Sequence, residues 1–184
     1  MMLKKVMIHI SSRHTEASDA LLGYMFGEND PAEQSADGRL REDDEDGIDG
    51  DEPLEILTEG SLFVSKDGRV TLSYTETELS GMEGAKTSVV FDKGSEGLVT
   101  MMRTGPVNTA LVFEAGSRHI CVYQTPYMPF ELCVHTLKVD NHLLDTGTLY
   151  LDYIIEFRGA KAEHNLFTLT VRDSSDHPKS IQTP

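Results

Sequence analysis

Tryptophan is missing from these 184 residues, cysteine occurs twice, and basic side chains are scarce, with 16 Lys and Arg against 31 Asp and Glu. The resulting formal charge of −15 excludes nucleic acid and anionic membrane surfaces as main partners, because a phosphate-binding face needs clustered Lys and Arg. Long apolar runs are also missing. Lys4 and Lys5 precede only Val6-Met7-Ile8-His9-Ile10 before polar residues return, whereas a secretory signal needs a longer apolar core and a membrane span needs roughly 20 such residues. Two cysteines without such a signal point to a reducing compartment, most simply the cytoplasm. Catalytic signatures are lacking too: there is no Gly-x-Ser-x-Gly elbow, no glycine-rich phosphate loop, no His-Glu-x-x-His and no Cys-x-x-Cys. The pair Glu76 and Glu78 is of a kind common on exposed strands. The expectation is therefore a protein that is not an enzyme.

The acidity that is present is unevenly placed. Between Thr15 and Pro53 stand 14 acidic residues and only two basic ones, Arg39 and Arg41, a net −12 that leaves −3 for the rest of the chain. From Gly27 to Pro53 the only large apolar residues are Leu40 and Ile48, too few to offset the entropy of ordering the segment. It is expected to be a flexible acidic insertion over about residues 15–53. Ser18 to Phe26 just before it carries Leu21, Leu22, Tyr24, Met25 and Phe26, enough for a short helix or an apolar patch against the body. The run Asp43 to Glu52 fails as a calcium loop: with Gly47 at the sixth position the twelfth is Pro53, and with Gly50 there the third is Gly47.

From Leu54 to Asp173 apolar residues alternate with polar ones at period two, broken by glycine-bearing turns, the pattern of half-buried antiparallel strands. The inward faces read as Ile56, Thr58, Gly60, Leu62 and Val64; Val70, Leu72 and Tyr74; Thr87, Val89 and Phe91; Leu98, Thr100 and Met102; Thr109, Leu111 and Phe113. Later come His119 to Gln124, Phe130 to Val139, the long alternation Leu149 to Phe157, and Phe167, Leu169 and Val171. An N-terminal strand over about residues 4–13 adds Val6, Ile8 and Ile10. Asp67-Gly68 is the step of a tight hairpin. Strands joined by short turns hide their edges best in a closed barrel. The fold expected is all-β: an up-and-down antiparallel barrel of about 8–10 strands in one domain over residues 1–173, with a polar tail at 174–184.

Four motifs carry a family resemblance. Leu72-Ser73-Tyr74-Thr75-Glu76, Met102-Arg103-Thr104-Gly105-Pro106-Val107, Phe113-Glu114-Ala115-Gly116, and Tyr123-Gln124-Thr125-Pro126-Tyr127 leading into the strand up to Thr136 stand in this order. Together they resemble the YwiB-like family of small bacterial calycin-type β-barrels over roughly Leu54 to Arg172, plus the first strand. The resemblance implies a lipocalin-like closed barrel, bacterial and cytoplasmic, in a family described as a domain of unknown function. The acidic insertion has no counterpart in that short pattern, and Met128 and Pro129 stand where a glycine is expected after the Thr-Pro-Tyr turn.

Two constellations could carry chemistry. Tyr74, Glu76, Arg103 and Tyr123 are polar members of these motifs, and inside a barrel they would orient a bound ligand, Arg103 through its forked donors. Alternation with Met102 inside puts Arg103 outside, paired with Glu. The second is a hairpin: with the turn centred on Tyr127, Cys121 opposes Cys133 and His119 opposes His135 on one face. Such a set could ligate zinc or close a reversible disulfide. The blander alternative makes the cysteines packing residues and the histidines outward ones, with Ile120, Val122, Leu132 and Val134 filling the barrel. A slip of one residue would move one strand's set to the other face.

Three functions follow as expectations. The first is noncovalent binding of a small apolar or amphipathic ligand in the barrel, unless Phe63, Phe91, Phe113, Tyr153, Phe157 and Phe167 fill it. The second is an interaction scaffold whose acidic segment engages a basic protein partner, with self-association left open. The third is a zinc or redox site on the hairpin; no other cofactor is expected.

Overall fold

The computed structural model describes residues 1–16, 52–80, 82–124, 128–157 and 160–174. The expected acidic insertion, the apolar stretch before it and nearly all of the polar tail lie outside the described residues. Ten strands account for almost everything else: β1 (Met2–Glu16), β2 (Leu54–Val64), β3 (Arg69–Thr75), β4 (Lys86–Asp92), β5 (Leu98–Thr104), β6 (Thr109–Glu114), β7 (Arg118–Gln124), β8 (Pro129–His142), β9 (Thr148–Phe157) and β10 (Ala160–Asp173). One short 3-10 turn, Glu78–Ser80, is the only helical element among the described residues.

All strands join one antiparallel sheet in the order β6-β5-β4-β3-β2-β1-β10-β9-β8-β7, the up-and-down meander that short hairpins dictate. Its two outer strands meet through one bridge, in which Asn108 N donates to Gln124 O at 3.0 Å and Gln124 N to Asn108 O at 2.9 Å. The barrel is thus nearly closed, with a seam between β6 and β7. The first strand is longer than its apolar core suggests, because β2 pairs with it from Met2 to Ser12 and β10 from Val6 to Glu16.

The connections fall alternately at two ends. One end carries the tight turns 65–68, 93–97, 115–117 and 143–147; at the other, β1, β3, β5, β7 and β9 end and β2, β4, β6, β8 and β10 begin, with 76–80, 82–85 and 105–108 among the described residues there. We call them the turn end and the loop end. At the turn end Asp67-Gly68 does close a hairpin, with Gly68 at φ +95° and Ser65 N bonded to Arg69 O at 2.9 Å. Gly68 suits this place because side-chain-bearing residues pay sterically for positive φ.

Between the ends, β3 to β6 stack inward residues in three tiers. Val70 opposite Phe91 and Val99 opposite Phe113 form the first; Leu72, Val89, Met101 and Leu111 form the second. All eight are buried, and each such side chain contributes about 1.5–3 kcal/mol through apolar burial. Ile8, Leu149, Leu151 and Leu169 continue this core around the barrel. At Gly60 the backbone of β2 lies directly under the side chain of Ile8, and an added Cβ there would also stand 2.7 Å from Ser73 O. The third tier, nearest the loop end, is different: Tyr74, Thr87, Arg103 and Thr109 lie side by side on four strands.

Candidate ligand site

That third tier brings together three of the four residues expected to bind a ligand. Tyr74 faces inward and is buried. Glu76 lies just past β3, fixed by its backbone N–H, which donates to Ala85 O at 2.8 Å; its side chain is only 4% exposed. Thr87 Oγ1 donates to Glu76 Oε1 at 2.5 Å. Arg103 points inward too, with Nε 3.7 Å from the same Oε1 and 17% of its side chain exposed.

The inward Arg103 corrects the alternation read from the sequence. In Leu98-Val99-Thr100-Met101-Met102-Arg103 both phases carry apolar residues, so period alone could not choose between them. The barrel buries Val99 and Met101 and leaves Leu98 and Met102 on the outside. The pairing with Glu was anticipated; its location inside the barrel was not.

The opposite wall supplies a matching row. Thr136 of β8, Tyr153 of β9 and Asn165 of β10 are register partners, all buried. Burial pushes Tyr153 up to about 12, with Arg103 pulling the other way and Glu163 and Tyr123 adding to the rise. Burial also drives Tyr74 strongly upward, reinforced by Glu76 and opposed by Arg103 and the Thr87 hydroxyl. Both phenols therefore stay protonated and neutral well above neutral pH. Tyr123 is half-buried on β7, and its hydroxyl approaches Met82 Sδ at 3.7 Å. Its ring stacks obliquely on Phe130 at 5.3 Å, and Phe130 meets Phe157 edge-on at 6.2 Å. Phe113 touches Tyr153 at 4.9 Å, so the filler aromatics at these positions form the walls beneath and beside the polar tier.

Several polar atoms in this region are buried without a hydrogen-bond partner among the described residues: Arg103 Nε, Thr109 Oγ1, Thr136 Oγ1 and Asn165 Nδ2. Buried polar groups are ordinarily paired, so each such atom asks for water or a ligand. Thr87, Thr109, Thr136 and Asn165 were not singled out from sequence. Their signal was available as polar residues in inward phase: Thr87 with Val89 and Phe91, Thr109 with Leu111 and Phe113, Thr136 with Leu132 and Val134, and Asn165 with Phe167 and Leu169.

The second constellation comes apart. The β7–β8 register pairs Arg118 with His135, Ile120 with Cys133 and Cys121 with Leu132, one residue away from a turn centred on Tyr127. The cause is the four-residue connection 125–128 between the paired Gln124 and Pro129. His119 and Cys121 therefore share the inward phase, while Cys133 and His135 face out with Arg118 and Glu156. Arg118 Nε and His135 Nδ1 lie 3.2 and 3.7 Å from Glu156 Oε1. His119 sits at the seam, its Nε2 3.4 Å from Glu114 Oε2. Both cysteines are free. Burial raises both thiols; Thr109 opposes the rise at Cys121, and Glu156 adds to it at Cys133. Among the described residues no three His, Cys, Asp or Glu side chains form a metal-binding group. The register also places Leu132 and Val134 inside as expected, but turns Ile120 and Val122 outward, Ile120 being 75% exposed.

Among the described residues no helix is long and apolar enough to cross a membrane. No curated protein matches the chain. Among solved structures the chain is similar to the crystal structure of the ywiB protein from Bacillus subtilis, with a TM-score of 0.60 at 20% identity, over 91% of this chain and 92% of that one. A family model described as Domain of unknown function (DUF1934) matches residues 28–169; the match starts within the acidic stretch, which the sequence reading had set outside the family pattern, and it leaves out β1. With most of its length inside that match and its barrel shared with the ywiB protein, the chain belongs to the YwiB-like DUF1934 family.

Proposed function

We propose that the barrel binds a small amphipathic molecule noncovalently at its loop end. The polar part of the ligand lies on the tier of Tyr74, Glu76, Arg103 and Tyr153, and its apolar part lies against Tyr123, Phe130 and Phe157. The carrying observation is the group of buried, unpartnered polar atoms at Arg103, Thr109, Thr136 and Asn165. A site of this composition, mostly apolar with a few convergent polar groups, is what small-molecule recognition requires. Likeness to calycin-type barrels supports the reading by analogy, since one fold hosts many tasks. The reading invokes no metal, cofactor or catalytic step, and it places the protein in a reducing compartment where both thiols stay free.

The test is native mass spectrometry of the full chain, purified without chelator and without a polyhistidine tag. An organic adduct that disappears on denaturation, survives deletion of residues 27–52 and is lost from Arg103→Leu/Glu76→Leu is the expected result. A clean apo mass would overturn the reading. Loss of the adduct with the acidic segment alone would transfer recognition to that segment and favour the interaction scaffold.

A further inference from the structure

We infer that the polar part of the ligand is an uncharged hydrogen-bond acceptor, such as a carbonyl oxygen, and not a carboxylate, phosphate or ammonium group. The inference rests on the binding reading above and concerns the ligand class that the same site selects.

Donor accounting is the first argument. Arg103 Nε–H and the Asn165 Nδ2 amide can only donate, and both are buried without a hydrogen-bond partner, Arg103 Nε facing Glu76 Oε1 at 3.7 Å, beyond hydrogen-bond reach. The hydroxyl of Thr136, equally unpartnered, can also donate, while that of Thr109 interacts with the Cys121 thiol. The main acceptor of the tier, the Glu76 carboxylate, already takes the Thr87 hydroxyl and faces Arg103. The interior thus holds unused donors, and a donor-only ammonium would leave them unsatisfied.

Charge accounting is the second. Arg103 and Glu76 are the charged side chains of this tier, opposite in sign and set against one another. The tyrosines on both walls remain neutral phenols. An incoming carboxylate would meet a guanidinium already opposed by Glu76, and Glu163 adds negative field at Tyr153. Its lost hydration would go uncompensated. The chain's −15 charge works against anions in the same direction from outside. A neutral carbonyl avoids both costs and satisfies the donors.

Four probes of one shape test this on the full chain near neutral pH: 2-acetylnaphthalene, 2-naphthoate, 2-naphthylmethylammonium and naphthalene. Isothermal titration calorimetry reports the binding of all four on one scale. The ketone is expected to bind about ten-fold more tightly than the two ions and than naphthalene. Asn165→Leu should bring the ketone down to the level of naphthalene and leave naphthalene unchanged. Asn165→Asp, nearly the same in shape, removes the donor if the leucine variant does not fold, and should abolish the preference likewise. Either ion equalling the ketone, naphthalene equalling it, or the preference surviving Asn165→Asp would overturn the head-group inference while leaving the site intact. Failure of all four to bind would instead sink the binding reading, and this inference with it.

Discussion

The two ends of the barrel are built from the same strands and the same period, yet they are different materials. At the turn end the inward positions are Val70, Phe91, Val99 and Phe113, buried and packed on one another. Two residues further along each strand pair, at Leu72, Val89, Met101 and Leu111, the interior is still apolar. One more step gives Tyr74, Thr87, Arg103 and Thr109, and with them an interior ion pair and unmated donors. A protein selected for stability alone would continue the apolar tiers, since buried ion pairs are often matched or bettered by well-packed apolar replacements. The contrast teaches that the turn end holds the fold together, while the loop end keeps buried polar groups that packing alone does not call for and on which the proposed ligand site rests.

Substitutions can sharpen that contrast. Phe113→Ala, in the turn-end core, is expected to cost about 3–5 kcal/mol by urea unfolding; a cost under about 1 kcal/mol would mean that this end is not a packed core. At the loop end, Arg103→Leu and Glu76→Leu should each destabilise by about 3–5 kcal/mol, because each strands a buried charge, while the double variant recovers to within about 1 kcal/mol of wild type. Additive losses in that cycle would show that the two side chains do not form a pair.

Alkaline titration distinguishes the ends by a different property. Tyr153, raised from 10.0 to about 12, is neutral in the folded barrel at pH values where the unfolded chain begins to ionise. Its stabilisation is complete below pH 10 and is lost as the pH rises from 10 through about 12, an effect on the order of 3 kcal/mol. Across that window stability should fall while the phenolate absorbance of Tyr153, read as the difference between wild type and Tyr153→Phe, rises. Appearance of that difference absorbance near pH 10 in the intact fold would place Tyr153 in solvent. The smallest effect is expected outside the barrel: Ile120→Ser, on the outer face of β7, should change stability by less than about 0.5 kcal/mol, and a larger loss would reveal that this face is covered. Oxidation of the native protein should likewise give no Cys121–Cys133 bridge, because the two thiols face opposite sides of the sheet.

Much of this was legible. The alternation in β2, β3, β4, β6, β9 and β10 marks the inward residues correctly, although Leu57, Phe63, Val90, Val112, Ile154 and Leu166 stand in the outward phase of those strands. It fails in β5 and β7, where Val99-Thr100-Met101-Met102 and Ile120-Cys121-Val122 carry apolar side chains on both phases, and both failures bear on candidate sites. The Arg103 site moved from outside to inside, and the Cys/His face dissolved because a four-residue connection shifted the register by one. Asn165 and Thr136 were missed for another reason. Thr136 stands in phase with Leu132 and Val134, and Asn165 with Phe167 and Leu169, but only the packing of β8, β9 and β10 shows that they share a row with Tyr153.

The central claim, that the loop-end interior is built for a ligand, is tested most directly by a high-resolution crystal structure of protein purified from cell extract without organic solvent. The account predicts non-protein electron density within hydrogen-bonding distance of Arg103 Nε and Asn165 Nδ2, with Thr109 or Thr136 completing its contacts. An interior in which Arg103 and Asn165 instead find protein partners, with the tier closed on itself and no space beside Tyr153, would contradict it.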